Sequence, residues 1–240
     1  MSRTFGISTR LFREERLTRD HLVHIAAHDF EAIELYADPA HFDTGDAVAI
    51  DQLAEWLADT RLQLHAVHSP DGSAITLAQR LTFPLLVMHR PSAHTERALV
   101  AVTAAAAPHN VKVALEVRGE SDSSPEALVT LIEDELEDVN GVGICLDLGR
   151  AHILGDLGDA IETVSGHLLT THVHDNGGKR NDHLLPYAGT IHWESAMMEM
   201  QKVGYDGAFI FELAPAADPV PILVKAAKAR ERLEKAFITF

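Results

Sequence analysis

Short apolar runs rich in β-branched residues alternate with stretches of helical periodicity from one end of the chain to the other. This pattern predicts successive βαβ units and a parallel sheet. Eight such runs stand out, at 4–8, 32–36, 63–68, 85–89, 112–117, 143–147, 169–174 and 208–213. Eight strands in alternation with helices predict a closed (β/α)8 TIM barrel rather than an open sheet.

The intervening helices carry their own start signals. Ser124 and Pro125 precede a helix predicted over 126–139, where serine can cap and proline suits the first helical position. Leu128, Val129, Leu131, Ile132 and Leu136 share one broad face of it. Thr190 similarly precedes a predicted helix over 191–203, whose Trp193, Met197, Met200 and Val203 recur at core-facing spacing. The alanine-rich 101–107 reads as good helix former. The connection at 70–84 is short, with room for a small helix near 74–80, so the barrel wall should be thin there. A second copy of the chain could cover it, making a homo-oligomer an expectation. Without internal repeats or a linker-like stretch, residues 1–240 read as one domain.

Composition changes this picture little. Hydrophobic residues make up 46% and charged residues 23% of the chain, the range of ordinary globular proteins. A net charge of −16 repels polyanions, so nucleic acid is not an expected partner. Residues 1–20 lack an apolar leader core, and no run reaches the roughly 18 apolar residues of a membrane span. No membrane partner is therefore expected, and the expected location is the cytoplasm. The single cysteine, Cys145, lies in the apolar run 142–146 and reads as a buried, inert thiol.

The candidate chemistry lies at the strand ends. The third predicted strand ends in His68, the fourth in His89, the fifth in Glu116, the sixth in Asp147, the seventh in His172 and His174, and the eighth in Glu212. In a parallel barrel these carboxyl ends share one mouth, where catalytic groups assemble. Any one of these residues could be a helix cap or a satisfied core histidine. Together, Glu116, Asp147 and Glu212 sit in or beside apolar runs where unpaired charge would cost several kcal/mol, a cost that a shared cation removes. Three carboxylates and an imidazole suit Mn²⁺ or Mg²⁺, and Co²⁺ or Zn²⁺ could also occupy them.

These residues resemble the xylose isomerase-like barrels, a group of sugar isomerases and epimerases, inosose dehydratases and zinc endonucleases that cut at abasic sites. The resemblance spans nearly the whole chain and is carried by 30–35, 115–117, 145–149, 172–176 with Gly178, Lys179, Asp182 and His183, then 204–207 and 211–212. It implies one divalent metal held by Glu116, Asp147, His172 and Glu212, with Glu116 and Glu212 exchanging a substrate proton through an enediolate. His68, His89, Arg150, His174 and His183 are then candidates to touch a small polyhydroxylated substrate. The endonuclease branch adds further zinc ligands, which His68, His89 and His183 match. Arg150 stands where that branch has a histidine and Asn181 where it has an aspartate, so one metal is expected rather than three. Arg150 also replaces a substrate-touching histidine of the sugar branch; its cationic fork suits a carboxylate, a phosphate or a row of hydroxyls. His152 could take the histidine's place only through a rearranged loop. The leading expectation is a metal-dependent isomerase or epimerase of a small sugar or related carbonyl compound. A dehydratase using the same metal and a non-catalytic metal- or ligand-binding barrel are the alternatives, ahead of an abasic-site endonuclease.

Overall fold

A computed structural model of the protein describes residues 3–92, 95–216 and 218–238. Eight parallel strands close into a barrel in sequence order: β1 (Phe5–Ser8), β2 (Ala32–Tyr36), β3 (Gln63–His68), β4 (Leu85–Met88), β5 (Lys112–Glu116), β6 (Val142–Asp147), β7 (Leu168–Val173) and β8 (Phe209–Phe211). Closure comes from β1 pairing with β8 through Phe5–Phe209, Gly6–Ile210 and Ile7–Phe211. Around the barrel lie α1 (Arg19–Ala26), α2 (Ala47–Thr60), α3 (Thr95–Ala106), α4 (Pro125–Thr130), α5 (Leu148–Leu154), α6 (Leu157–Val164), α7 (Trp193–Lys202) and α8 (Val220–Ile238). Among the described residues no helix is long and apolar enough to cross a membrane.

Side chains alternate across each strand, and this alternation separates two cores. Ile7, Ile33, Leu35, Val67, Leu86, Val113, Leu115, Ile144, Leu146 and Val173 belong to the large outer cluster packed beneath the helices. Ala66, Leu85, Val87, Ala114 and Cys145 form a small separate cluster in the barrel lumen. The lumen is tight: a Cβ on Gly6 would stand 2.6 Å from Ile210 Cδ1 and 2.8 Å from the Ala32 carbonyl oxygen. Stepping two residues onward from Ala32, Ala66, Ala114, Cys145 and Ile210 reaches Glu34, His68, Glu116, Asp147 and Glu212. Small or aliphatic residues thus fill the barrel floor while polar ones crown it.

The short β3–β4 connection is covered by a single 3₁₀ segment, Ser73–Gln79, which buries Ala74 and Leu77; Leu81 and Phe83 complete the wall. Two helix predictions need correction. Ser124 caps α4 by accepting from Ala127 N at 3.3 Å, but regular helix ends at Thr130 and continues as a π turn, Leu131–Glu135, rather than to residue 139. Glu133, Asp134, Glu135, Glu137 and Asp138 crowd that end with negative charge, which opposes the helix dipole. Thr190 does not cap α7, which starts at Trp193. Its hydroxyl instead donates to the Asn176 carbonyl at 3.1 Å and lies 2.9 Å from His152 Nε2.

Candidate metal centre and active site

The carboxyl ends of β5 to β8 bring Glu116, Asp147, His172 and Glu212 together, each buried, with one potential donor atom apiece all within 4.8 Å of one another. The His172 ring is oriented by its neighbours. Its Nε2 lies 3.0 Å from Glu34 Oε2, while Nδ1 lies 3.2 Å from Glu116 Oε1 and 3.8 Å from Glu212 Oε2. Glu34 therefore holds the far nitrogen and turns Nδ1 toward the carboxylates. A carboxylate behind a ligating imidazole fixes its tautomer and raises its basicity. Glu34 is fully buried on β2 and was missed from sequence. The signal was available: a charge interrupting an apolar strand at lumen parity.

Asp147 serves two structures at once. Its Oδ1 caps α5 by accepting from Arg150 N at 2.9 Å and meets His174 Nε2 at 2.8 Å; Oδ2 faces Arg150 Nε at 3.3 Å. His174 is itself fully buried behind Asp147 and does not border the cavity, so it suits orienting that carboxylate rather than touching a substrate. Gly149 makes room for it, since a Cβ there would overlap the His174 ring. The loop after β7 is pinned from below: buried Asp175 accepts from Trp193 Nε1 at 2.9 Å and Ile191 N at 3.2 Å.

These residues fit a divalent cation. Glu34 Oε1, both ring nitrogens of His68, Glu116 Oε2 and Asp147 Oδ2 are buried without a hydrogen bond of sound geometry, although charged neighbours stand within 4 Å. Leaving such groups unsatisfied costs about 1–3 kcal/mol each, more when charged. Burial alone would raise the Glu116 carboxyl, but the His172 hydrogen bond, the close approach of His89 and the charge of His68 hold it well below the usual range. Burial lifts the Glu212 carboxyl, and the charge of Glu116 adds to the lift against His172, His68 and Arg10. A cation shared by the pair would favour both carboxylates in ionised form.

Above the four donors opens a cavity of about 140 Å³, whose lining includes His68, His89, Glu116, Arg150, His183 and Glu212. His89 Nε2 reaches Glu116 Oε2 at 3.0 Å. His183 has positive φ (49°); its Nδ1 donates to the Glu212 carbonyl at 2.8 Å, and Asn181 Nδ2 donates to its Nε2 at 2.9 Å. Both ring nitrogens are thereby engaged, although His183 also stands with His174 and Glu212 as a further group of possible metal donors. His152 points instead to Thr190 and borders a separate groove with Asp156, His192 and Glu199. Arginines 10, 13 and 118 also line the mouth and were not anticipated.

A closed parallel barrel with carboxylates and an imidazole converging at its carboxyl mouth is the architecture of a TIM-barrel protein with a candidate metal site. The chain belongs to the xylose isomerase-like TIM barrel family, whose model matches residues 22–235. It is 24% identical over 246 residues to an uncharacterized protein of Methanocaldococcus jannaschii, a match covering 87% of this chain and 83% of that one. Among solved structures, a D-tagatose 3-epimerase-like protein superposes with a TM-score of 0.82 at 22% identity, covering 99% of this chain and 98% of its own. The IOLI protein, solved with a bound zinc atom, gives a TM-score of 0.82 at 14% identity over 100% of both chains. These structural likenesses establish the shared fold.

Proposed function

We propose that the protein is a divalent-metal-dependent isomerase or epimerase of a small polyhydroxylated carbonyl compound. The observation that carries this reading is a division among the four donors. Glu116 and Glu212 also line the cavity, whereas Asp147 and His172 do not. Two carboxylates are thus placed to reach both the ion and a substrate, and two residues anchor the ion from beneath.

Glu116, Asp147, His172 and Glu212 would hold the cation, with Glu34 keeping His172 Nδ1 turned toward it. Once bound, the ion polarises the substrate's carbonyl and hydroxyl oxygens and so acidifies the adjacent C–H. One glutamate, as the ionised carboxylate, removes that proton; it returns the proton to the neighbouring carbon while the hydroxyl proton passes to the former carbonyl oxygen, or the other glutamate, having taken a proton from water, delivers it to the opposite face. His68 and His89, beside Glu116, position hydroxyl groups. Manganese or magnesium suits the oxygen-rich set.

The test uses the metal-loaded protein with a panel of ketoses and keto-inositols in deuterium oxide. Loss of one substrate C–H signal with conserved total skeleton is expected, and Glu212→Ala should lose both metal and exchange. Unaltered exchange in that variant would sink the assignment. A product lighter by one water would assign a dehydratase instead.

A further inference from the structure

Four arginines line the mouth of a protein whose net charge is −16: Arg10 and Arg13 after β1, Arg118 after β5 and Arg150 after β6. No lysine is among the lining residues. The four guanidiniums do not have equal roles. Arg118 is committed, its Nε and Nη2 reaching the two Glu120 oxygens at 3.1 and 3.0 Å while Nη1 meets His89 Nε2 at 2.8 Å. That fork positions His89 and leaves little for a ligand.

The other three retain donor capacity toward the cavity. Arg10 gives Nη1 to the Leu213 carbonyl at 3.3 Å and stands 3.7 Å from Glu212 Oε1 through Nε. Arg150 Nε is buried without a hydrogen bond, and its 3.3 Å approach to Asp147 is an ion pair of poor angle. Arg13 pairs at 3.4 Å with the exposed Glu14 and, among the described contacts, with none of the four donors. A guanidinium carries five N–H donors in a planar fork matched to carboxylate and phosphate oxygens. A cavity near 140 Å³ limits the ligand to a small molecule.

From this placement, and building on the metal-dependent reading above, we propose that the substrate carries an anionic group, carboxylate or phosphate, held by Arg10, Arg13 and Arg150 beside the metal centre. The neutral part of the molecule then faces Glu116 and Glu212. A neutral polyol would leave these three guanidiniums with only single carboxylate contacts at 3.3–3.7 Å, to Asp147, Glu14 and Glu212, and most of their N–H donors unmatched.

Calorimetric titration of the metal-loaded protein with D-glycerate, glycerol 3-phosphate and glycerol compares three small polyols that differ in charge. At least one anion is expected to bind roughly tenfold or more tightly than glycerol. The tighter of the two identifies carboxylate or phosphate. Arg13→Ala should weaken that anion about tenfold while metal stoichiometry stays at the wild-type value, and Arg13→Gln repeats the test with side-chain length better kept. An anion that binds through the metal alone would be indifferent to both variants, and that result overturns the proposal. So does equal binding of glycerol, or no binding of either anion. Because the titration involves no turnover, its outcome is separate from that of the deuterium-exchange experiment. Failed exchange leaves the anion preference standing, and equal binding of glycerol leaves the proton-transfer reading standing.

Discussion

At the scale of single residues, the least obvious dependence is that of the metal donors on Glu34. Its contact with His172 Nε2 at 3.0 Å is what leaves Nδ1 facing Glu116 and Glu212. Glu34→Gln keeps shape but lacks the negative charge, so metal affinity should fall roughly 10–100-fold, the usual cost of losing such a partner. Competitive metal titration reads this directly, and wild-type affinity in the variant would remove Glu34 from the site. Gly149 supplies a steric counterpart. A methyl group there overlaps the His174 ring, which lies 2.8 Å from Asp147. Gly149→Ala should therefore push His174 off the carboxylate and cost about 1–3 kcal/mol of stability, as overpacking does. Urea unfolding with and without metal would show a smaller metal-induced stabilisation in the variant.

At the scale of elements, legibility followed the range of the forces involved. Strands β2 and β3 match their predicted bounds to the residue, because each is an apolar run closed by local breakers. Glu116, Asp147 and Glu212 were readable as charges at the ends of apolar strands that share one direction, while the resemblance to the xylose isomerase-like barrels singled out His172 among the strand-end histidines. Glu34 was hidden by being read as part of a motif instead of as a buried charge. Thr190 and the end of α4 were misread because their deciding partners, Asn176 for one and a cluster of acidic side chains for the other, compete with a locally plausible cap or period. Arg10, Arg13 and Arg118 escaped notice because the loops after β1 and β5 meet the site only when the barrel closes. The Ser124 cap, by contrast, was legible and is testable. Ser124→Ala removes the acceptor for Ala127 N and should cost about 1 kcal/mol. The urea midpoint should drop with the slope unchanged, since the surface exposed on unfolding stays the same.

At the scale of the whole molecule, the histidines distribute acid sensitivity across the fold. Away from the metal donors, burial is the largest cause holding His21, His41 and His65 below their ordinary value; Glu15 opposes it at His21, and a hydrogen bond to the Glu15 carbonyl opposes it at His41. His41 is almost wholly buried, with Nδ1 on the Glu15 carbonyl at 2.7 Å. A depressed histidine pKa means that below about pH 6.5 the unfolded chain takes up protons that the folded chain refuses. The unfolded state then binds more protons, so stability rises with pH in this window and falls as pH drops through it, by up to about 1.4 kcal/mol per unit for each group. His68 and His174 are raised by neighbouring carboxylates and His172 by Cys145, Glu34 and Glu212, and these three act in the opposite sense, mainly above that value. Comparing pH 6.5 with pH 5 therefore weights the depressed set, to which His183 at the mouth also belongs, pushed down to about 3 chiefly by burial; the raised Glu212 carboxyl acts in the opposite sense. Chemical denaturation should give a lower unfolding free energy at pH 5, and His41→Gln, which cannot take up the proton, should show a shallower pH slope than the wild type. An unchanged slope in that variant would mean that His41 is protonated as readily in the fold as in the unfolded chain, and would return the acid sensitivity to the barrel mouth.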